Sequence, residues 1–372
     1  MHAESALSRA ILGRLKLPAA TMGTKIHMVE EKHVGDIGEL GLIDVLAESL
    51  PSRVRFVSGL DLGIGDDAAV WQPSPGEKIV VTTDSLVEDI HFRRDWTDWE
   101  NLGHKMLAVN VSDLAAMGAV PRLAVVTLGL RGDERVGDLL SLYRGIGALA
   151  LRHDMAVAGG DIVRSPHGVV FHVTAIGETR DGRTLKRSGA RAGDIIGVTG
   201  TLGASAAGLR LLALDDDDPR RRAATADLLF DAHLRPEPRV ALGAVLLDQG
   251  ATSAMDLSDG LVGDLPKILA ASGVSGELDA RRIPVAAAVR ALFPEEWLNL
   301  ALRGGEDYEL LFTAPSDMWE GIELGAARSG GSVTAIGEIV PRRAGGSAME
   351  IIDLDGSRKA IAPGAFDHFG VG

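Results

Sequence analysis

The chain has 372 residues, 46% hydrophobic and 24% charged, the balance of an ordinary globular protein long enough for two or three domains. A net charge of −14 with no basic stripe argues against a nucleic-acid partner, and an acidic protein that binds anions needs metal ions, local Arg and Lys, or helix N-termini to offset repulsion. The absence of cysteine excludes disulfides, thiolate nucleophiles and zinc–thiolate sites and fits the cytoplasm, while no apolar run reaches the roughly 18–20 residues of a membrane span.

Residues 1–35 are mildly amphipathic, lack a signal-peptide core, and read as a disordered leader. Regular structure is expected from about Gly38, where GELGLIDVLAESL has helical periodicity and stops at Pro51. KIVVTTD reads as a strand with Asp84 at its carboxyl end. From Glu100 to Met117 the spacing of Leu102, Met106, Val109, Leu114 and Met117 predicts a helix on which Asn110 and Asp113, three apart, share a face. LAVVTLGL follows as a strand and Asp138 to His153 as a helix. DMAVAGGD is a strand ending in a glycine turn and an acid, and GVVFHVTAIGE is a further strand. This alternation predicts an α/β (α+β) fold. A Gly- and charge-rich boundary between Thr179 and Gly193 separates an N-terminal domain, 36–180, from a C-terminal domain, 188–372. The hexapeptide VTAIGE occurs at Val173 to Glu178 and again at Val333 to Glu338, each copy expected as a strand ending in a Gly turn. The run Asp215 to Asp218 with the basic stretch after it reads as a solvated loop.

Chemistry concentrates in acids set beside Gly, Ser and Thr. Magnesium prefers such oxygen ligands, and several such motifs on one chain suggest several ions around a polyphosphate. In GIGDDAAV, Asp66 and Asp67 point opposite ways on an extended segment, one to metal and one to the loop backbone. Thr82, Thr83 and Asp84 end an apolar strand, where open α/β sheets collect ligands, and His91 follows in a polar loop. Asp113 on a largely apolar helix calls for a partner, which a cation would supply. Gly159, Gly160 and Asp161 suit a tight turn against phosphate. In MDLSDGL, Asp256 ends a strand and Ser258 or Asp259 could cap the next helix. Glu306 and Asp307 precede the strand YELLFT, and Lys186 and Arg187 in LKRSG are candidates for phosphate contacts. No P-loop, H-E-x-x-H or G-x-S-x-G occurs.

In order, GIGDDAAV, TTDSLVEDIHF, KMLAVNVSDLAAMGA, GGDIVRS, LKRSGARAGD, AMDLSDGL and RGGEDYELLFT resemble the thiamine-monophosphate kinase family, from about Asp36 to the AFDHFG tail. That family is grouped with aminoimidazole ribonucleotide synthetase, selenophosphate synthetase and a hydrogenase-maturation ATPase. The resemblance implies two α/β domains, the first with a mixed sheet that pairs across a homodimer, with ATP and several Mg2+ ions between domains. It implies transfer of phosphate from ATP to thiamine monophosphate, with no covalent nucleophile. The implied magnesium ligands are Asp66, Asp67, Thr82, Thr83, Asp84, Asp113, Asp161, Asp256 and Asp259. The implied ATP contacts are Tyr143, Gly160, Asp161, Arg187 and Ser258, and the implied substrate contacts are His91, Glu306 and Phe366. The alternatives are another superfamily member such as aminoimidazole ribonucleotide synthetase, or a non-catalytic nucleotide-binding module. Absent cysteine argues against the selenophosphate and hydrogenase branches.

Overall fold

The computed structural model describes residues 29–342, 348–362 and 364, so most of the leader and the tail position Phe366 lie outside the described residues. Residues 29–35, placed in the leader by the sequence, already belong to the fold: Val34 N donates to Glu134 O and Gly137 N to Glu30 O. Helix α1, Val34–Ser49, is interrupted at Gly38, whose φ of 70° is non-helical and carries no Cβ penalty in glycine. A two-stranded ribbon follows, β1 (Leu60–Leu62) with β2 (Val70–Trp71).

The N-terminal half is built on β3 (Ile79–Val87), β4 (Val120–Leu130), β5 (Ala156–Arg164) and β6 (Val170–Glu178), in the order β3-β6-β4-β5. All pairs are antiparallel except β4 with β5. Strand alternation sends Leu86, Val126, Leu128, Phe171, Val173 and Ala175 into a core under α2 (Trp99–Ala116) and α3 (Val136–Arg152). The opposite face carries Ile79, Val81, Thr83 and Ser85 of β3. The ribbon covers one end of it through Leu60, packed with Leu123 and Ala158. The rest is open, with Ile79 53% and Val81 61% exposed.

The C-terminal half carries a seven-stranded sheet, order β13-β12-β9-β11-β7-β10-β8. Its strands are β7 (Ile195–Thr199), β8 (Ser253–Asp256), β9 (Ser275–Asp279), β10 (Leu310–Ala314), β11 (Val333–Val340), β12 (Met349–Ile352) and β13 (Arg358–Ala360). The helices are α4 (Ala204–Leu212), α5 (Ala226–Leu234), α6 (Val240–Asp248), α7 (Leu261–Ser272), α8 (Ala287–Leu292), α9 (Trp297–Arg303) and α10 (Trp319–Arg328). Helix α2 belongs to both halves. Its Ala115 and Ala116 pack with Leu246, Leu247 and Phe312, and a Cβ on Gly243 of α6 would sit 2.0 Å from Ala115 O. Among the described residues no helix is long and apolar enough to cross a membrane.

Three glycine readings are corrected. The AGGD stretch is not a turn: β5 runs through it to Arg164, with a register shift opposite Ala124 and Val125. A Cβ on Gly160 would lie 2.0 Å from Val126 O, so close backbone approach requires glycine there. The two VTAIGE copies do not end in turns either. Gly177 lies inside β6 and Gly337 inside β11, each near a register shift, where a Cβ would meet Val120 O at 2.7 Å and Glu277 O at 2.1 Å.

Candidate active site

Three carboxylates from three separate elements meet where the halves touch. Asp84 lies inside β3 and not at its end, because the strand continues to Val87; Thr82 and Asp84 share the face toward α2. Thr82 Oγ1 donates to Asp113 Oδ2 on α2. Asp256, the last residue of β8, accepts from Ser112 Oγ at 2.8 Å, a hydrogen bond from one half to the other. Burial first, then the Asp113 charge, push Asp84 up to about 6. Burial and then Asp113, with smaller effects of Asp264 and Asp84, push Asp256 up to about 7. Burial also raises Asp113, against the Thr82 hydroxyl and the Arg187 guanidinium.

Like charges gathered out of water disfavour one another's ionised forms. A hard cation would let them ionise, and carboxylate and hydroxyl oxygens are the donors magnesium takes. The donor set therefore fits the ion. Among the described residues, no three His, Asp or Glu side chains converge closely enough to form a ready-made cage.

A second group centres on Glu306, in the loop before β10, at φ 64°. Lys105 Nζ lies 3.0 Å from Glu306 Oε1 and His233 Nδ1 3.5 Å from Oε2. Burial works to raise the Glu306 carboxyl, but Lys105, His233 and His91 outweigh it and hold it below the usual glutamate value. Burial and the Lys105 charge depress His233 to about 4, so at neutral pH the ammonium supplies the compensation. His91 thus joins Glu306, its Nδ1 accepting from Val87 N at 3.1 Å. Buried Tyr308 connects the two groups: burial, then the charges of Glu306, Asp256, Asp84 and Asp113, raise its phenol well above the ordinary value.

The backbone explains this convergence. Leu257 N donates to Glu309 O, Tyr308 N to Leu257 O and Glu306 N to Ser258 O. The MDLSDGL and GGEDYEL motifs are therefore two sides of one antiparallel pair that extends β8 and β10 past their ends. Other acids in these motifs have structural partners. Asp307 accepts from Gly203 N at 2.7 Å and Ser205 N at 3.2 Å, capping α4, and burial pushes it up to about 7 against those donors. Asp259 Oδ2 meets Lys267 Nζ at 2.6 Å, and Lys267 also meets Asp264 Oδ1 at 2.8 Å. The expected cap by Ser258 or Asp259 is replaced: Gly260 is the N-cap of α7, and Asp264 reaches back to Asp259 N.

Other candidates lie elsewhere. Thr83 faces the open side of the sheet, its Oγ1 2.9 Å from His172 Nε2. Gly160 and Asp161 lie on β5, and Asp161 pairs through Thr127 with His172, which places it on that open side too. Strands β3 and β5 are the two edges of this sheet, three strand spacings or about 14 Å apart, so Asp84 and Asp161 of one chain do not share an ion. Asp66 and Asp67 are exposed before β2, and Asp67 N donates to Asp66 Oδ1. Tyr143 is buried in the N-terminal core. Sequence reasoning missed Lys105, His233 and Ser112. A lone Lys inside the apolar stretch Leu102 to Val111 was the available signal, since a buried ammonium needs a partner.

The AIR synthase related protein N-terminal domain matches residues 65–179, and the AIR synthase related protein C-terminal domain matches residues 191–349. The thiamine-monophosphate kinase of Bacillus subtilis strain 168 is 36% identical over 324 residues, 87% of this chain and 98% of that protein. Its Escherichia coli K12 counterpart is 39% identical over 313 residues, 83% and 92% of the two. The crystal structure of thiamine-monophosphate kinase from Stenotrophomonas maltophilia K279a matches with a TM-score of 0.74 at 38% identity, covering 86% of this chain and 96% of that one. The structure of AaThiL complexed with AMPPCP and TMP matches at 0.70 and 32%, covering 90% and 98%. Escherichia coli HypE, a hydrogenase maturation protein at 20% identity and 0.69, covering 89% and 99%, shares the fold. With both domains matched and relatives aligned along nearly their whole length, the chain belongs to the thiamine-monophosphate kinase family of AIR synthase related proteins.

Proposed function

We propose that the chain transfers the γ-phosphoryl group of ATP to thiamine monophosphate in the cytoplasm, giving ADP and thiamine diphosphate by direct in-line displacement. The observation that carries this reading is the Asp84, Asp113 and Asp256 group, assembled from both halves and joined through Tyr308 to Glu306. A relative whose structure holds AMPPCP and TMP adds support.

One phosphate must approach another against repulsion, so the protein's task is position and charge neutralisation. Magnesium, when bound, would neutralise the charge that develops as the phosphates approach. Asp84, Asp113 and Asp256 would hold it, with Thr82 orienting Asp113 and Ser112 orienting Asp256. Arg187, whose charge reaches Asp113, and Ser258 would meet the nucleotide phosphates. Glu306, kept ionised by Lys105, suits the cationic ring of thiamine, with His91 next to it. Phe366, outside the described residues, would meet the thiamine end of the substrate.

We also propose a homodimer through the open sheet face. There Asp66, Asp67, Gly160 and Asp161 of one copy would serve the β3 edge of the other, where Thr83 lies, while Asp259 would leave Lys267 to join the metal set; Tyr143, buried in the N-terminal core, does not reach that face. A coupled assay for thiamine diphosphate, with and without magnesium, tests the reaction. Formation that requires ATP, thiamine monophosphate and magnesium supports it. ADP release independent of thiamine monophosphate overturns it in favour of a different acceptor.

A further inference from the structure

The segment that joins the halves presents two basic neighbours to different places. The charge of Arg187 reaches Asp113. Lys186 instead lines a separate cavity of about 470 Å³. The segment is pinned there, because Leu185 N donates to Met117 O at the end of α2 and Ala254 N of β8 donates to Lys186 O.

Both halves contribute to this cavity. Lys78 comes from the start of β3, Arg183, Lys186 and Ser188 from the joining segment, and Thr252 from the approach to β8. None of the described residues lining it is acidic, in a chain whose net charge is −14. Arg183 is already neutralised by Asp248 at 3.0 Å, and Thr252 Oγ1 already donates to Asp194 Oδ2 at 2.7 Å. Among the described residues, Lys78 Nζ and Lys186 Nζ have no carboxylate within ion-pair distance. Both lysines are exposed, and two ammonium groups lining one cavity with no carboxylate at ion-pair distance favour an anion between them. A lysine acts on phosphate as a compact point charge, and two such charges match a tetrahedral oxyanion of charge about −2.

We propose that this cavity binds a small oxyanion of the phosphate class, inorganic phosphate or pyrophosphate, between Lys78 and Lys186, with the Ser188 hydroxyl as a further donor. An anion held there links the start of β3 to the joining segment, and so fastens one half to the other away from the reacting groups.

The test uses the full chain saturated with AMPPCP, thiamine monophosphate and excess magnesium, so that the reacting site is filled. Thermal unfolding is followed while phosphate, pyrophosphate or chloride at matched ionic strength is added. At roughly ten times the dissociation constant, either phosphate-class anion should raise the Tm by about 2 °C above chloride. Comparing phosphate with pyrophosphate identifies which the cavity prefers. Lys78→Glu should abolish the rise while leaving turnover unchanged, and Lys186→Ala should weaken anion binding at least tenfold. No rise beyond chloride in the wild type overturns the proposal. So does an equal rise in folded Lys78→Glu, which would place the anion at the reacting site instead. If Lys78→Glu does not fold, an undiminished rise in Lys78→Ala overturns it and a lost rise supports it.

Discussion

Lys105 Nζ on α2 lies 3.0 Å from Glu306 Oε1 in the loop before β10, with the lysine side chain 3% exposed and the glutamate 27%. One ion pair thus spans the two halves with its cation almost wholly out of water. Truncating one partner of such a pair leaves the other charge uncompensated, which in fully buried cases costs about 3–5 kcal/mol. Because Glu306 is partly exposed, Lys105→Met should destabilise by somewhat less, about 2–3 kcal/mol. Glu306→Gln should be comparable, and the double variant should lose clearly less than the sum. Urea unfolding of the four proteins checks this; strict additivity would mean the pair is not coupled.

Asp256 gives a pH prediction for metal-free protein. Its carboxyl is raised from 3.8 to about 7, so between those values the folded state holds more protons than the unfolded one. Stability must then fall as pH rises from about 4 to about 7 and level off above, by a few kcal/mol at most. Asp256→Asn should reduce that slope, leaving the part due to Asp84 and Asp307, and stabilise the metal-free protein at pH 8. Magnesium should restore stability to the wild type at pH 8 and do so less in the variant. Unfolding midpoints across pH, with and without magnesium, measure both effects.

The same substitution should abolish turnover, as should Asp113→Asn, because each removes charge from one cluster. The double variant should be no worse than either single one, since groups that act as a unit are not additive. Near-normal kcat in either single variant, with the fold intact by circular dichroism, would remove that residue from the cluster's function.

Gly159 and Gly160 are neighbours with opposite expectations. A Cβ on Gly159 meets nothing within 4 Å, whereas one on Gly160 would fall 2.0 Å from Val126 O. Gly160→Ala should therefore destabilise by about 1–3 kcal/mol, the range for forced overpacking. Gly159→Ala should be neutral or slightly stabilising, because glycine inside a strand is entropically unfavourable. Thermal denaturation of the two variants decides between a continuous strand and a flexible turn.

Val81 is 61% exposed on the open sheet face. A charge there would be tolerated by a monomer and rejected by a packed interface. Val81→Glu should shift the protein to monomer in analytical ultracentrifugation and reduce turnover, leaving the unfolding transition of the monomer intact.

Periodicity and composition made much of this legible. The α2 helix, the alternation of β6 and the strand–turn–helix order around Asp256 all follow from local patterns, because apolar spacing answers to the nearest layer. The exact extent of β3 and β5 did not. Asp84 and the Gly159–Gly160 pair look like strand ends, yet partner strands supply hydrogen bonds that carry the backbone past them. The Lys105–Glu306 pair was hidden for another reason: its members are far apart in sequence and meet only once α2 is packed against the second half. The roles of Asp307 and Asp259 were obscured likewise, since a capped helix and a lysine partner are visible only in three dimensions.

The placement of β3 and β5 at opposite edges of one sheet has a genetic consequence. If each reacting centre draws on Asp84 from one copy and Asp161 from the other, Asp84→Asn and Asp161→Asn are defects of different partners. Either variant alone would be dead in every centre. Mixed after reversible dissociation, they would form hybrids in which one centre holds both lesions and the other holds neither. Two inactive preparations would then complement each other in a test tube, as two recessive alleles do within one cell.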